Sequence, residues 1–507
     1  MEVKSGDIYC LQEPKTGKYF AFQVIEIKGD STIYLLLDYF EERRPEESDL
    51  KKMAPFVSNR WFWDNAIDYK HANTKDFPKD ATLVGNIRPI VTRECKTYGG
   101  WTNGYDFLGE AEWMTFPEET RMRFKKGQSD TSEIVVAGIK CRRSRQYIDD
   151  ELLSAMTNYD KELYKLPVAY NFSATKYYPQ LIPFLETRHT VARLEWDNHG
   201  QETLDLSRTH LRTITIWDEK MIEIKLPESC NLLTLNGKLH PALKVKAFDN
   251  GTGLRLEFNS AKQDDKIPDL GVSHLNGLTL HYVKKLDPSS IHKVYPHLHY
   301  VRLVGNPGDI LNINSLGKLP ELKSLMFEDI FGFTYQEFPK LSSWPKLKTL
   351  WLESIPEEAG KQIKKQFKGK VDDLDIRKLR KPEWMAENLD NPLRHWDGSE
   401  FVPRSKAKKA AQIYRDTRRL ALAAAKEFLS DKNSAKLSAK LNEIAKEYVL
   451  AFNKLDGKTN FIETEEREDI CAAFDVILDT VKAEVAGTGY EVNSSQLYDT
   501  MDEHRDW

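Results

Sequence analysis

The sequence predicts a multidomain α+β protein: an N-terminal β-rich domain, a central solenoid of stacked parallel strands and a C-terminal antiparallel helical bundle. Three observations carry that prediction. Short apolar and β-branched runs alternate with turn residues over the first 40 positions. A six-residue apolar pattern then recurs at a fixed interval between residues 191 and 380. From residue 406 onward the apolar residues fall at helical spacing in three successive stripes. At 507 residues the chain can bury several cores. The expected boundaries are 1–130 for the β-rich domain and 131–190 for a linking and capping segment. Residues 191–385 form the solenoid, 386–403 a linker, and 404–507 the bundle with a polar tail.

The N-terminal elements follow from turn chemistry. Residues 7–11 form a short apolar strand, Pro14-Lys15-Thr16-Gly17 turns the chain, and residues 19–27 are rich in aromatic and β-branched side chains. After Lys28-Gly29-Asp30, residues 32–40 are almost continuously apolar, which predicts a strand buried on both faces. A charged loop follows at 41–47, and a further strand is expected near 81–91. The runs Gly6-Asp7-Ile8, Gly17-Lys18-Tyr19-Phe20-Ala21-Phe22-Gln23-Val24 and Leu37-Asp38-Tyr39-Phe40 give this part a likeness to a known family. Over roughly its first 100 residues the chain resembles the twenty-sixth class of bacterial immunity proteins from polymorphic toxin systems. That resemblance implies binding and neutralisation of a protein toxin, and it supplies no catalytic residues. Members of that family are usually short single domains, whereas about 400 further residues follow here. Residues 94–130, with aromatics around Trp113, read as a loop-rich continuation; 133–141 read as a buried strand, and 149–164 as a helix capping the solenoid.

The repeat itself is Leu298-x-x-Val301-x-Leu303, Leu322-x-x-Leu325-x-Phe327, Leu347-x-x-Leu350-x-Leu352 and Val371-x-x-Leu374-x-Ile376, at intervals of 24, 25 and 24 residues. Pro296, Pro320 and Pro345 introduce three copies in register, and Leu275-x-x-Leu278-x-Leu280 and Gly251-x-x-Leu254-x-Leu256 extend the series backwards. Apolar residues at positions 1, 4 and 6 of such a period resemble a leucine-rich repeat. The ninth position departs from that pattern: Asn259 and Asn306 stand there in two units, Ile330 and Ile355 in others. Positions 4 and 6 share one side of a strand, so positions 3, 5 and 7 line the other. On that concave face the expected partner-binding residues are Arg255, Thr279, His281, Tyr300, Arg302, Met326, Glu328, Trp351 and Glu353. Tyr, Trp, Met and Arg are the types enriched at the desolvated centres of protein interfaces. The plainer alternative is that another part of the chain covers these rings.

After breaks at Lys381-Pro382 and Asn391-Pro392, three helices are expected. Their stripes are Ala410, Ile413, Tyr414, Thr417, Leu420, Ala424 and Phe428; then Leu437, Leu441, Ile444, Tyr448, Phe452 and Leu455; then Ile470, Phe474, Ile477, Val481 and Val485. The polar tail after Gly487 is expected to lack order. Lys408, Arg415, Arg418 and Arg419 form a possible basic patch for nucleic acid or an acidic partner. Against that stand 13 acidic and three basic side chains in 462–506, and pairing within the bundle is the favoured expectation.

Composition narrows the function. A formal charge of −4 gives no bulk field toward nucleic acid or membrane. The first residues carry no secretory pattern, no apolar run reaches the length of a membrane span, and the five scattered cysteines suit a reducing compartment. The chain therefore reads as cytoplasmic. No P-loop, nucleotide fingerprint or nucleophile elbow is present, and Gly251-Thr252-Gly253 leads into Leu-Arg-Leu. His297 and His299 lack a third ligand at metal spacing, while Asp372-Asp373 and Asp264-Asp265 read as solvated loop charges. The expectation is a non-enzymatic protein with no cofactor and no metal, an immunity or antitoxin type that captures a toxin or effector. The alternative is a scaffold whose basic C-terminal helix contacts nucleic acid or an acidic partner.

Overall fold

Strands form where the turn chemistry places them, at Asp7–Gln12, Tyr19–Lys28 and Ser31–Glu41. They pair antiparallel, flanked by Tyr69–Asn73 on one side and Thr82–Asn86 on the other, in a five-stranded sheet. The third strand is buried on both faces, as its composition requires. Ile33, Leu35 and Leu37 enter one core, while Tyr34 and Leu36 enter a second, aromatic one. There the ring of Tyr34 stacks on Trp101 at 5.0 Å. Of the runs 6–8, 17–24 and 37–40, all but Gly6, Gly17 and Lys18 lie on these adjacent strands. The computed structural model describes residues 3–14, 16–102, 104–259, 267–457 and 460–507. Asp264 and Asp265 lie outside the described residues. The chain divides into two compact units, 1–379 and 380–507.

Three local readings need correction. The stretch expected to be loop-rich holds two helices, Tyr105–Thr115 and Glu118–Gln128. Trp113, Phe116 and Phe124 from that region pack with Trp61, Val168 and Ala192 in a separate aromatic core, so isolated large rings replaced a regular apolar stripe. The expected buried strand at 133–141 is a hairpin, Glu133–Val136 with Ile139–Arg142. Its turn residues Ala137 and Gly138 both have positive φ, 49° and 86°, as a two-residue hairpin turn demands. Of Ile134, Val135, Val136 and Ala137 only Val136 is buried. The helix expected at 149–164 is split into Asp150–Ala155 and Tyr159–Leu163, because the Asp149 and Asn158 side chains each cap a new start.

The largest element is an eleven-stranded sheet in which every strand runs parallel to its neighbours in chain order. Its strands are Tyr147–Ile148, Asn171–Ala174, Arg193–Asp197, Thr213–Trp217, Leu232–Asn236, Arg255–Asn259, Gly277–Leu286, Tyr300–Ile310, Ser324–Phe331, Thr349–Glu353 and Asp373–Arg377. The sheet thus starts within the segment expected to cap it. Register puts Leu194, Ile214, Leu233, Leu256, Leu278, Val301, Leu325, Leu350 and Leu374 side by side. A second row runs from Trp196 through Ile216, Leu235, Phe258, Leu280, Leu303, Phe327 and Leu352 to Ile376. Both rows enter one continuous apolar core, with Leu374 packed at its margin. Each fully buried member contributes roughly 1.5–3 kcal/mol of transfer free energy.

The register also corrects the first repeat. Leu256, not Leu254, pairs with Leu278, so this unit is Gly253-x-x-Leu256-x-Phe258. Asn259 is therefore its seventh residue, opposite His281, and the ninth lies outside the described residues. The slip of two residues leaves inside and outside unchanged, because strand side chains alternate with period two. At the ninth position of later units Ile330 and Ile355 are fully buried, so an apolar contact stands where a turn-binding Asn was sought.

Across the core from the sheet, the returning segments differ along the chain. Thr203–Asp205, Glu223–Lys225 and Lys244–Lys246 form a second, three-stranded parallel sheet with Leu204, Ile224 and Val245 turned inward. Farther on, the returns are short 3-10 turns at Pro288–Ser290, Ile313–Lys318 and Leu341–Ser343, then the helix Glu357–Phe367. Trp344 ties two returns together by donating from Nε1 to the carbonyl of Leu316 at 2.9 Å. At Gly305 adjacent strands approach tightly: a Cβ there would lie 2.0 Å from the carbonyl oxygen of Asp329.

In residues 380–507 the helices are Pro382–Asn388, Arg404–Asp431, Ser434–Asp456, Thr464–Glu484 and Ser494–His504. The expected stripes are buried, Ile413 and Ile444 only partly, and one residue faces out. Leu420 is 52% exposed and Ala421 takes the inward place. The tail expected to lack order contains the last helix, whose Leu497 and Met501 enter the bundle core. Asn493 caps it by accepting from the amide of Gln496, an N-cap that the polar composition concealed. No helix among the described residues is long and apolar enough to cross a membrane.

Candidate functional site

Alternation along the strands sends the side chains between the buried rows to the opposite face of the large sheet. Register aligns Glu257, Thr279, Arg302, Met326, Trp351 and Asp375 across six strands. Beside that row run Tyr300, Ser324, Thr349 and Asp373 on one flank and Glu328, Glu353 and Arg377 on the other. Eight of the nine expected residues are partly or fully open on this face: Arg255, His281, Tyr300, Arg302, Met326, Glu328, Trp351 and Glu353. Thr279 is a correction, being 1% exposed. On the same strand Gly277 has no side chain, and Arg255 reaches across that position to lie 4.6 Å from the ring centre of Tyr300.

Charges on this face are mostly paired. Arg255 meets Glu257 at 3.4 Å and Arg302 meets Glu328 at 3.3 Å. Glu353 receives Arg377 at 2.6 Å and Lys378 at 2.8 Å. Burial alone would raise the Glu353 carboxyl, but its bonds to Lys378 and Arg377 win and hold it below the usual range. Burial lowers the His281 imidazole, which keeps it neutral at pH 7. The apolar members are less committed. Tyr300 Oη donates to the thioether of Met326 at 3.6 Å, and Trp351 donates through Nε1 to Asp373 at 2.8 Å while remaining 43% exposed. Asp373, Asp375 and Arg377 belong to the site as partners of Trp351 and Glu353. The strand alternation that exposed the neighbouring residues also marks them.

A scan against protein-family models finds no match for this chain, and no curated protein matches it. The site therefore rests on its own geometry.

The basic patch of the C-terminal unit is arranged differently from expectation. Arg415, Arg418 and Arg419 line one cleft, while Lys408 is exposed away from it. The acidic third helix does not neutralise them. Among the described residues, Arg419 reaches only Asp416 of its own helix, and Arg415 donates to the side-chain oxygen of Gln412 and the carbonyl of Glu387. Arg418 Nε has no hydrogen-bond partner. Asp469 of the third helix instead accepts from His395 and Trp396, and this ion pair raises the His395 imidazole.

His297 and His299 precede the Tyr300–Ile310 strand instead of sitting on it. The His297 ring lies 5.2 Å from that of His274. Among the described residues no group of three or more His, Cys, Asp or Glu side chains is placed to hold a metal ion.

Proposed function

We propose that this is a non-catalytic, cytoplasmic binding protein whose central sheet is a leucine-rich repeat solenoid and whose outer strand face captures a protein toxin or effector in the manner of an immunity protein. One observation carries the reading: Arg302, Met326 and Trp351 stand side by side on one sheet face, next to Tyr300, with the Trp351 indole still open. Aromatic and Arg anchors of this kind dominate interface energetics when a partner desolvates them. Neighbouring strands stand about 4.8 Å apart, so six of them present a platform suited to a standard interface of roughly 1,200–2,000 Å². The paired charges around the anchors supply the polar rim. The resemblance of the first 100 residues to immunity proteins adds the class of partner.

The test is affinity capture of the protein encoded beside this gene, with the full chain as bait. Replacing Trp351→Ala together with Arg302→Ala should weaken capture by about 30-fold or more, the loss expected for a central anchor. Capture that the double variant leaves unchanged removes the strand face from the account.

A second reading, a scaffold that contacts nucleic acid through its basic helix, is favoured by Arg415 and Arg418, which meet no carboxylate among the described residues. Phosphate contacts of that kind would make binding fall steeply with added salt.

A further inference from the structure

The cleft in the C-terminal unit has a volume of about 540 Å³, within the size range of small-molecule sites. One wall is a single stripe of the Arg404–Asp431 helix: Arg415, the adjacent pair Arg418 and Arg419, Leu422 and Lys426, each step along the stripe three or four residues. The other wall is Ala386, Glu387 and Asp390, from the end of the Pro382–Asn388 helix and the residues after it. Four cations thus face two carboxylates. Like charges one turn apart repel each other, so this stripe does not stabilise the helix that carries it.

A second observation points to a ligand. Tyr414 lines the same cleft and is 1% exposed, yet its hydroxyl has no hydrogen-bond partner. Burial raises the phenol above its ordinary range, and the charges acting on it are Arg418 and Asp390, both on the cleft wall. The hydroxyl is therefore a protonated donor awaiting an acceptor. A buried polar group left unpaired is costly, and such groups in native proteins usually mark a missing partner. Arg415 is already held in place by the carbonyl of Glu387 at 3.1 Å and by Gln412 at 2.8 Å, neither of which cancels its charge.

We propose that this cleft binds a small hydroxylated phosphate monoester, with its phosphoryl group among Arg415, Arg418, Arg419 and the Tyr414 hydroxyl and its alcohol groups on Glu387 and Asp390. Guanidinium forks match the tetrahedral oxygens of a phosphoryl group, and Lys426 adds charge along the same stripe. Leu422 and Ala386 give the carbon skeleton an apolar contact. The proposal is independent of the strand face and of any toxin.

The experiment is calorimetric titration of the full chain with glycerol 3-phosphate and with inorganic phosphate at constant ionic strength. Glycerol 3-phosphate should bind saturably and more tightly than inorganic phosphate. Arg418→Gln should weaken it about tenfold or more, and Tyr414→Phe about threefold to tenfold. Tyr414→Phe removes only an unpaired hydroxyl, so its fold, checked by circular dichroism, is retained even if Arg418→Gln is not. Absence of saturable binding, or binding that both variants leave unchanged, overturns the proposal. Equal affinity for the two phosphates overturns the hydroxylated ligand. Displacement by a single-stranded oligonucleotide whose binding falls steeply with salt would overturn it in favour of a nucleic-acid surface.

Discussion

The two halves of the large parallel sheet build the same core with different returns. In the earlier half Leu194, Ile214 and Leu233 follow one another at 20 and 19 residues, and the chain comes back through three-residue strands. In the later half Val301, Leu325, Leu350 and Leu374 are separated by 24, 25 and 24 residues, and the chain comes back through 3-10 turns or a helix. Extended backbone covers about 3.3 Å per residue, against about 2.0 Å in a 3-10 turn and 1.5 Å in an α-helix. A strand therefore closes the circuit with fewer residues. Unit length reports the return path, while the inward-facing strand stays the same.

The sharpest test of that equivalence is to remove one core side chain from each half. Leu325→Ala and Ile224→Ala should each cost about 2–5 kcal/mol in urea unfolding. Both residues belong to one continuous apolar core. Loss should therefore appear as a shift of one shared transition, and two separated transitions would break the comparison. A smaller cost is expected at Gly305. The methyl of Gly305→Ala would press on the backbone carbonyl of Asp329, and about 1–3 kcal/mol should be lost, read as a lower midpoint. Trp344→Phe keeps an aromatic ring but removes the indole N–H, so the buried Leu316 carbonyl retains only the Leu319 amide at 3.2 Å. Loss of that hydrogen bond and of indole volume should cost about 1–3 kcal/mol in the same transition.

The smallest effect concerns pH. His199, in the earlier half, is fully buried beside Asp218, and burial lowers its imidazole despite that carboxylate. A depressed folded value means that the unfolded chain takes up the proton first. The contribution of His199 is thus intact above the ordinary histidine value of 6.5 and is lost as pH falls through its folded value. Melting temperature should drop on acidification, and His199→Gln should flatten that slope. An unchanged slope would show that the pH response comes from other histidines.

This comparison also explains what the sequence made legible. The later repeats stood out because Leu298, Leu322, Leu347 and Val371 recur at nearly equal spacing, three of them two residues after a proline. The earlier rungs keep the same inward residues, with Val191, Leu211 and Cys230 buried just ahead of their strands. Their shorter spacing hid them from a search at two dozen residues. The orientation of the outer strand face was readable even where register slipped, since Arg255 and Glu257 point outward under either alignment. Thr279 is buried although strand alternation assigns it to the open face between Glu257 and Arg302, and nothing within a single repeat marks that. In the C-terminal unit the cationic stripe was visible, but the wall opposite it was not. Glu387 and Asp390 are brought near Arg418 by the short Pro382–Asn388 helix and the residues after it, which carry no periodic signal.

Returns of unequal length have a consequence for how such a surface can change. Insertions and deletions fall on the far side of the core, where chain length is already variable, while the exposed strand positions keep their places relative to one another. Drift in one surface is insulated from the other. Side chains such as Met326 or Trp351 can therefore change by point substitution, with no need to rebuild the scaffold beneath.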